Sequence, residues 1–396
     1  MKRIYILLFS IFCLTVLNAQ NPPAPCTLHP APVITGAEST SEYFPVLQNK
    51  RIGVFTNPTG RVGDEHLVDL LHRSGVNVVA IFAPEHGFRG DADAGEKVTD
   101  DKDSKTGIPI YSLYKSKTGK PGKTILSQID ILVVDIQDVG LRFYTYYISM
   151  YKLMDACAEN NKQMLILDRP NPNGFYVDGP ILDRKYKSGV GYLPIPVVHG
   201  MTLGELAQMI NGEKWLPNKQ TCPLQVIKCK NYTHQTKYPL PVPPSPNLPN
   251  MKSVYLYPST CLFEGTTVSL GRGTAFPFQV YGSPDMKRYR FSFTPRSIPG
   301  AKNPPYLNRK CQGVDLQKVP DEEIWEKGIN LNYLIDAYNH LKTGNAFFTP
   351  FFENLIGVDY VRKMILEGKS ADEIKAVWQP DVEKFKQQRK PYLLYD

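Results

Sequence analysis

The sequence predicts an α/β fold: a parallel sheet covered by helices on both faces, followed by a smaller α+β domain. Three observations carry this. Short runs rich in Val and Ile alternate with stretches of helical spacing through the first half of the chain, the pattern of strands buried on both faces. A run at 238–249 holds six of the 34 prolines and reads as an extended connector. Beyond it the pattern changes to a glycine-rich loop, a strand pair and late helices, with no internal repeat.

Taken in order, Met1-Lys2-Arg3 is a basic start, residues 4–17 are nearly all apolar, and Asn18-Ala19-Gln20 offers a small residue for cleavage. This reads as a secretory signal peptide over 1–19, too short for a membrane span. The protein is therefore expected to be exported, to a periplasmic or extracellular location. A lead-in follows over 20–50. The first domain spans 51–238, with strands at 51–56, 76–82, 129–136 and 163–168 and helices at 64–74 and 145–161. Residues 197–206 read as a strand, a turn and a new helix. The connector occupies 239–249. The second domain spans 250–396, with a strand pair near 288–293 and 313–319 and helices from about 331. With 34 prolines in 396 residues, above the roughly 5% of average usage, much of the chain must be ordered loop, where sites are built.

Composition narrows the function. The formal charge of +8 falls to +6 once the two charges of Lys2 and Arg3 leave with the signal, and no dense Lys/Arg run marks a nucleic-acid partner. No segment outside the signal is long and apolar enough to span a membrane. Six cysteines remain, of which Cys222 and Cys229 are the nearest couple in sequence, and pairing is left open. There is no C-x-x-C and no H-x-x-x-H, so neither a structural zinc nor a catalytic metal is indicated, and no cofactor is expected. Asp91-Ala-Asp-Ala-Gly-Glu96 departs from a calcium loop in glycine position and final glutamate. The Gly-rich segment from Glu264 to Thr274 lacks the phosphate-loop pattern.

Ligands on open parallel sheets bind beyond the carboxyl ends of the strands. Those ends carry unusual chemistry here. One strand runs into Ala83-Pro-Glu-His-Gly-Phe-Arg-Gly90, where Glu85 near apolar Phe88 could act as an acid or pair with Arg89. The next runs into Asp135-Ile-Gln-Asp-Val-Gly-Leu-Arg-Phe-Tyr-Thr-Tyr146. Asp135 and Asp138 there either orient a water or sugar hydroxyl or close the strand in an ion-pair cluster with Arg142, and Phe143, Tyr144, Tyr146 and Tyr147 either stack on a sugar or line the core. A third runs into Asp168-Arg-Pro-Asn-Pro-Asn-Gly174. Glu264 and Arg272 can bring a second carboxylate and arginine to a cleft between the domains. A competing pattern is Ser149-Met-Tyr-Lys152, Ser245-Pro-Asn247 and Lys342-Thr-Gly344, which follows the order of a penicillin-binding serine acyl-enzyme. Its contexts differ: Ser149 falls inside a predicted helix, Ser245 in the connector, and Lys342 at a helix end where a strand is needed.

Together with Val198-His-Gly-Met-Thr202 and Glu264-Gly-Thr-Thr-Val-Ser-Leu-Gly-Arg-Gly-Thr274, these motifs resemble the exo-β-N-acetylmuramidase NamZ family, long filed as a domain of unknown function. They are long, ordered and spread over 51–319. The resemblance implies a Rossmann-like domain joined to a smaller C-terminal domain, with the active site in the cleft between them. It implies hydrolysis of a terminal, non-reducing β-1,4-linked N-acetylmuramic acid from peptidoglycan fragments, with muropeptides or disaccharides as partners. It places the catalytic glutamate at Glu85. This chain reads Asn173-Gly174 where the family more often has two glycines, a change confined to local turn shape.

Glycoside cleavage needs an acid for the leaving oxygen and a second group for water or the anomeric carbon. Glu85 is expected as the acid with His86 orienting it, and Asp135 or Asp138 as the second group with Glu264 behind them; assistance from the 2-acetamido group is a further route. Arg142 or Arg272 is expected to read the lactyl carboxylate. Arg89, Asp168, Asn171 and His199 complete the expected substrate-binding set. The alternatives are the serine acyl-enzyme and a non-catalytic wall-binding module.

Overall fold

Five consecutive buried residues make Ile52–Thr56 (β1) the middle of the main sheet. The computed structural model describes residues 31–84, 87–89, 101–113 and 118–396. The signal segment, Glu85, His86 and the Asp91 to Glu96 loop lie outside them.

A two-stranded hairpin, β2 (Arg61–Val62) and β3 (Glu65–His66), follows β1. Then come β4 (Val78–Ala83), β5 (Asp101–Lys102), β6 (Pro109–Ser112), β7 (Ile131–Asp135), β8 (Gln163–Leu167) and β9 (Leu224–Ile227). The seven-stranded sheet has the order β5-β6-β4-β1-β7-β8-β9. All its neighbours are parallel except the edge strand β5, which runs antiparallel to β6. Without β5 the chain starts in the centre, winds outward through β4 and β6, returns to the other side of β1 at β7, and winds outward again. That is the strand order of a doubly wound Rossmann fold, with its reversal between β1 and β7.

Each central strand divides its residues between two cores, as period-two side chains require. Ile52, Val54, Ile131, Val133, Leu165 and Leu167 face one cluster, with α1 (Thr40–Leu47) and α2 (Leu67–Arg73) packed over it. Phe55, Phe82, Leu132, Val134, Met164 and Ile166 face the other. That second face is covered by α4 (Tyr146–Glu159) and α5 (Leu203–Gly212), while the short α3 (Lys123–Ser127) precedes β7. Thr202 and Glu205 form a reciprocal capping box that starts α5.

The smaller C-terminal domain begins with α6 (Met251–Thr260). It holds a three-stranded antiparallel sheet of β10 (Val280–Ser283), β11 (Phe291–Phe293) and β12 (Cys311–Asp315), with β12 in the middle. Five helices follow: α7 (Asp321–Lys327), α8 (Asn332–Leu341), α9 (Phe352–Ile356), α10 (Tyr360–Leu366) and α11 (Ala371–Arg389). One apolar core runs from the second face of the large sheet into these helices, so Val33–Asp396 forms one compact unit. The end of the chain returns to the large sheet. Trp378 Nε1 donates to Asp178 at 2.9 Å, Leu394 N to Glu205 at 2.8 Å, and the Tyr395 hydroxyl to Asp168 at 2.7 Å.

One sequence expectation changes here, and the open question of cysteine pairing is answered for the described residues. Residues 197–198 form isolated bridges to Leu141 and Asp178 rather than a strand. Cys229 donates to the Asp168 carbonyl at 3.2 Å, so it is not the neighbour of Cys222, whose thiol lies against Cys157. The five described cysteines are free thiols. No described helix is long and apolar enough to cross a membrane.

Candidate active site

The crevice between β1 and β7 is where a doubly wound sheet binds its ligand. Here the protein's own side chains occupy it. Asn57 donates to the Tyr146 hydroxyl at 3.0 Å, Thr59 Oγ1 to Asn57, and the Gln137 amide to Thr59 at 2.9 Å. Arg169 grips both Asp135 oxygens at 2.6 and 3.0 Å, with both residues buried. Asp135, expected to act on substrate or to pair with Arg142, instead has its carboxylate committed to a buried ion pair with Arg169.

Two open hollows lie just outside this plug and share Thr145 and Tyr146. The first, about 190 Å³, lies between the domains. Its walls are Phe143, Tyr144, Tyr146, Tyr257 and Phe278, with Ser245 and Asn247 from the connector. The rings meet edge to face, Phe143 on Tyr257 at 5.1 Å and Tyr257 on Phe278 at 4.7 Å, the arrangement aromatic quadrupoles favour. Tyr144 donates to the Pro244 carbonyl at 2.7 Å, which fixes the wall to the connector. Glu264 and Arg272 also line this hollow, with Arg272 Nε donating to Glu264 at 2.6 Å. Burial disfavours the Arg272 charge, but the attraction and hydrogen bond of Glu264 outweigh it and hold the guanidinium charged.

The second hollow, about 300 Å³, opens at the carboxyl ends of β4 and β6. Pro84, Leu113 and Gly119 border it on one side. Ser149 and Lys152 of α4 line it on another, and Ser188, Gly189 and Tyr192 complete it. Pro84 is the residue immediately before Glu85. Glu85 and His86 themselves lie outside the described residues.

The remaining sequence candidates build the support of these hollows. Arg142 is enclosed, and the expectation that it reads a substrate carboxylate is corrected. Its guanidinium donates to four backbone carbonyls: Pro180 and Ile195 at 2.7 and 2.8 Å, Leu355 and Ile356 at 3.1 and 2.7 Å. Burial pulls its pKa down to about 10, which leaves it charged at neutral pH. It ties the loop after β7 to α9. Asp138 accepts from Gly140 N at 2.7 Å and faces an interior hollow of only about 10 Å³ beside Asp168 and Asn171, room for one water and no sugar. Burial raises its pKa to about 7. One of its oxygens has no partner among the described residues, so this carboxyl, expected as a second catalytic group, stands beside the small interior hollow rather than in either open one.

Asp168, Asn171 and His199 are likewise placed away from the open hollows. Asp168 accepts from Thr202 Oγ1 at 2.6 Å and Gly204 N at 2.9 Å as well as Tyr395, so it anchors the start of α5 and the chain's tail. Asn171 donates to the Met201 carbonyl at 2.9 Å. A side chain at Gly140, with φ +76°, would collide with Asn171, so glycine is required at that crossing. His199 is fully buried, accepts from Met201 N at 3.2 Å, and is held neutral by burial, with its pKa near 3. Arg89 is paired with Asp69 and Asp103 at 3.0 and 2.9 Å. Each of these was expected to bind substrate; Asp168, Asn171 and Arg89 are engaged by protein groups, and His199 is enclosed with its Nε2 unpartnered among the described residues.

Of the expected residues, Glu264 and Arg272 line an open hollow. Sequence reasoning passed over Ser149, Lys152 and Tyr192. The i, i+3 spacing of Ser149 and Lys152 was the available signal, noted only as part of the acyl-enzyme pattern. That pattern does not assemble: Lys342 is the left-handed cap of α8, and Gly344–Phe347 is a 3-10 turn rather than a strand. Among the described residues no group of three or more His, Cys, Asp or Glu is placed to hold a metal.

These features define an α/β protein of Rossmann strand order whose switch point is filled and whose open cleft is walled by aromatics, hydroxyls and one ion pair. Two family models match the chain: exo-β-N-acetylmuramidase NamZ, N-terminal, over residues 52–252, and its C-terminal counterpart over 255–395. A curated relative, the peptidoglycan β-N-acetylmuramidase NamZ of Bacillus subtilis, is 39% identical over 381 residues, covering 89% of each chain. A DUF1343 family protein of Bacteroides fragilis has a crystal structure with a TM-score of 0.88 at 67% identity, covering 92% of this chain and 99% of its own. A second from that organism has a TM-score of 0.78 at 30% identity over the same shares. The chain belongs to the exo-β-N-acetylmuramidase NamZ family.

Proposed function

We propose that this protein is an exported glycoside hydrolase that releases terminal, non-reducing N-acetylmuramic acid from β-1,4-linked peptidoglycan fragments. The observation that carries the activity is the match of both halves to the NamZ family, with a relative named as a peptidoglycan β-N-acetylmuramidase. The paired hollows supply what such a reaction needs: aromatic faces for a sugar ring, hydroxyls for its oxygens, and a carboxylate. Export rests on the basic, apolar and small-residue order of the first 20 residues.

Glu85 is our candidate acid. It follows Pro84 in the chain, and Pro84 lines the larger hollow. Glu264 is the second carboxylate in this reading, because Asp135 is committed to Arg169 and Asp138 faces a hollow too small for a sugar. Paired with Arg272, it is suited to accept from a water or hydroxyl rather than to donate.

The test is release of N-acetylmuramic acid from a chromogenic β-muramoside by wild type and Glu85→Gln. Wild type should turn over and Glu85→Gln should lose at least about 100-fold in kcat. Near-wild-type turnover by the variant removes Glu85 from the mechanism. Wild-type binding without cleavage would make the protein a wall-binding module. Amino-terminal sequencing of the mature protein tests export; retention of Met1 rejects it.

A further inference from the structure

We propose that Lys152 recognises the lactyl carboxylate of N-acetylmuramic acid and so sets the preference for that sugar over its neutral counterpart; this rests on the muramidase reading above. Two cations line the two open hollows, Arg272 and Lys152. Arg272 is already neutralised by Glu264. Arg142 is sealed behind carbonyls. Lys152 is different. It projects from the second turn of α4 into the larger hollow, it is half-buried, and among the described residues it makes no ion pair and no hydrogen bond.

The position is shaped around the amine. Gly119 has φ +69°, and a Cβ there would come within 2.6 Å of Lys152 Nζ. The backbone is therefore bare where the ammonium sits, and a side chain would displace it. Ser149, Ser188 and Thr145 supply hydroxyls around the same hollow, and Tyr146 and Tyr192 supply rings. Burial pulls the Lys152 pKa down, and no described residue supplies a counter-charge to offset it. A half-desolvated ammonium is unfavourable until a counter-charge meets it. A carboxylate arriving with substrate removes that penalty. A sugar without the lactyl group, such as N-acetylglucosamine, leaves it in place. Discrimination then comes from the penalty as well as from the new contact.

The experiment compares two chromogenic substrates that differ in one group: the β-muramoside with a free lactyl acid and the same compound as its lactyl amide. Wild type should prefer the acid. Lys152→Gln should lower kcat/KM on the acid about 10- to 100-fold, chiefly through KM, while the amide stays within about threefold. Lys152→Arg should recover part of the preference. An acid-to-amide ratio in Lys152→Gln equal to that of wild type overturns the proposal. So does failure of both Lys152→Gln and Lys152→Met to fold, which would make the residue structural. If wild type cleaves neither substrate, the muramidase reading fails separately. Calorimetric preference for N-acetylmuramic acid over its amide, present in wild type and absent in Lys152→Gln, then still supports the role of Lys152, and equal preference in both overturns it.

Discussion

Replacing Arg142 with Met should cost stability and leave selectivity untouched. The guanidinium is fully buried and makes four hydrogen bonds of 2.7–3.1 Å to carbonyls on three different segments. Methionine fills much of the same volume but donates nothing. Four carbonyls then lose a charged donor inside the core, at about 1–3 kcal/mol for each group left unsatisfied. Removing the buried charge itself returns part of this, since isolated burial of a cation is unfavourable. A net loss of about 4 kcal/mol is the working figure. The unit Val33–Asp396 has about 360 residues. At about 2.1 cal/mol/K per residue, its unfolding entropy is about 0.8 kcal/mol/K. The expected drop in Tm is therefore about 5 °C. Calorimetry or thermal fluorescence gives the Tm; parallel kinetics on muramoside and glucosaminide give the selectivity. A Tm within about 1 °C of wild type, or a changed muramoside-to-glucosaminide ratio in a stably folded variant, would refute the assignment of Arg142 as a bolt between loop and helix.

A double-mutant cycle on Glu264→Gln and Arg272→Gln should show a coupling of about 1–3 kcal/mol in muramoside kcat/KM; additive losses would separate the two residues functionally. Tyr395→Phe removes the donor to Asp168 and the acceptor for Cys229 N at 2.9 Å. It should lower stability by about 1–3 kcal/mol and expose the tail to proteolysis, and unchanged denaturation and cleavage patterns would count against the tail as a latch. Asp138 gives a pH prediction. Its folded pKa of about 7 exceeds its unfolded value near 3.9, so the folded state holds an extra proton between them. Its contribution is present below about pH 4 and is lost as pH rises to about 7. The stability of Asp138→Asn relative to wild type should therefore increase between pH 5 and pH 8 in urea titrations; a flat difference rejects the buried neutral acid. His199 must be held constant in that comparison. Neutral in the fold with a pKa near 3, it makes stability rise with pH over about 3 to 6.5, the opposite slope.

Strands with a strong local signal were legible in the sequence. The runs that became β1, β4, β7 and β8 are apolar on both faces, because both faces are covered, and helix α4 begins and ends within two residues of its expectation. The outer strands were not legible. Pro109–Ser112 begins with a proline and is only half-buried, and Leu224–Ile227 alternates weakly. Both are strands because a neighbour offers a free edge, which no local pattern records. The site divided in a similar way. The motifs do follow the carboxyl ends of β4, β7 and β8, since that rim of a parallel sheet is fixed by topology. Which of their charges face outward was hidden, because whether Asp135 meets Arg169 or Arg142 depends on contacts between segments far apart in the chain.

That division has a physical basis. A doubly wound sheet leaves a crevice at its reversal, and this protein fills it with Asn57, Thr59, Gln137 and the Asp135–Arg169 pair. Filling it with polar groups requires each one to be satisfied, because an unpaired buried charge is far more costly than an exposed one. Hence the motif residues with the strongest chemistry, Asp135, Arg142, Asp168 and Arg169, have almost no hydrogen-bonding capacity left for a ligand. They hold in place the aromatic lip of Phe143, Tyr144 and Tyr146, the surface we propose for substrate recognition. In such a site charge alone does not mark the reacting groups. Unused capacity is the better guide: an ammonium over a bare glycine with no partner among the described residues, and a carboxylate and guanidinium that share an open wall. By that criterion Lys152, which entered only through a competing motif, ranks above Arg142, one of the two arginines expected to read the lactyl carboxylate.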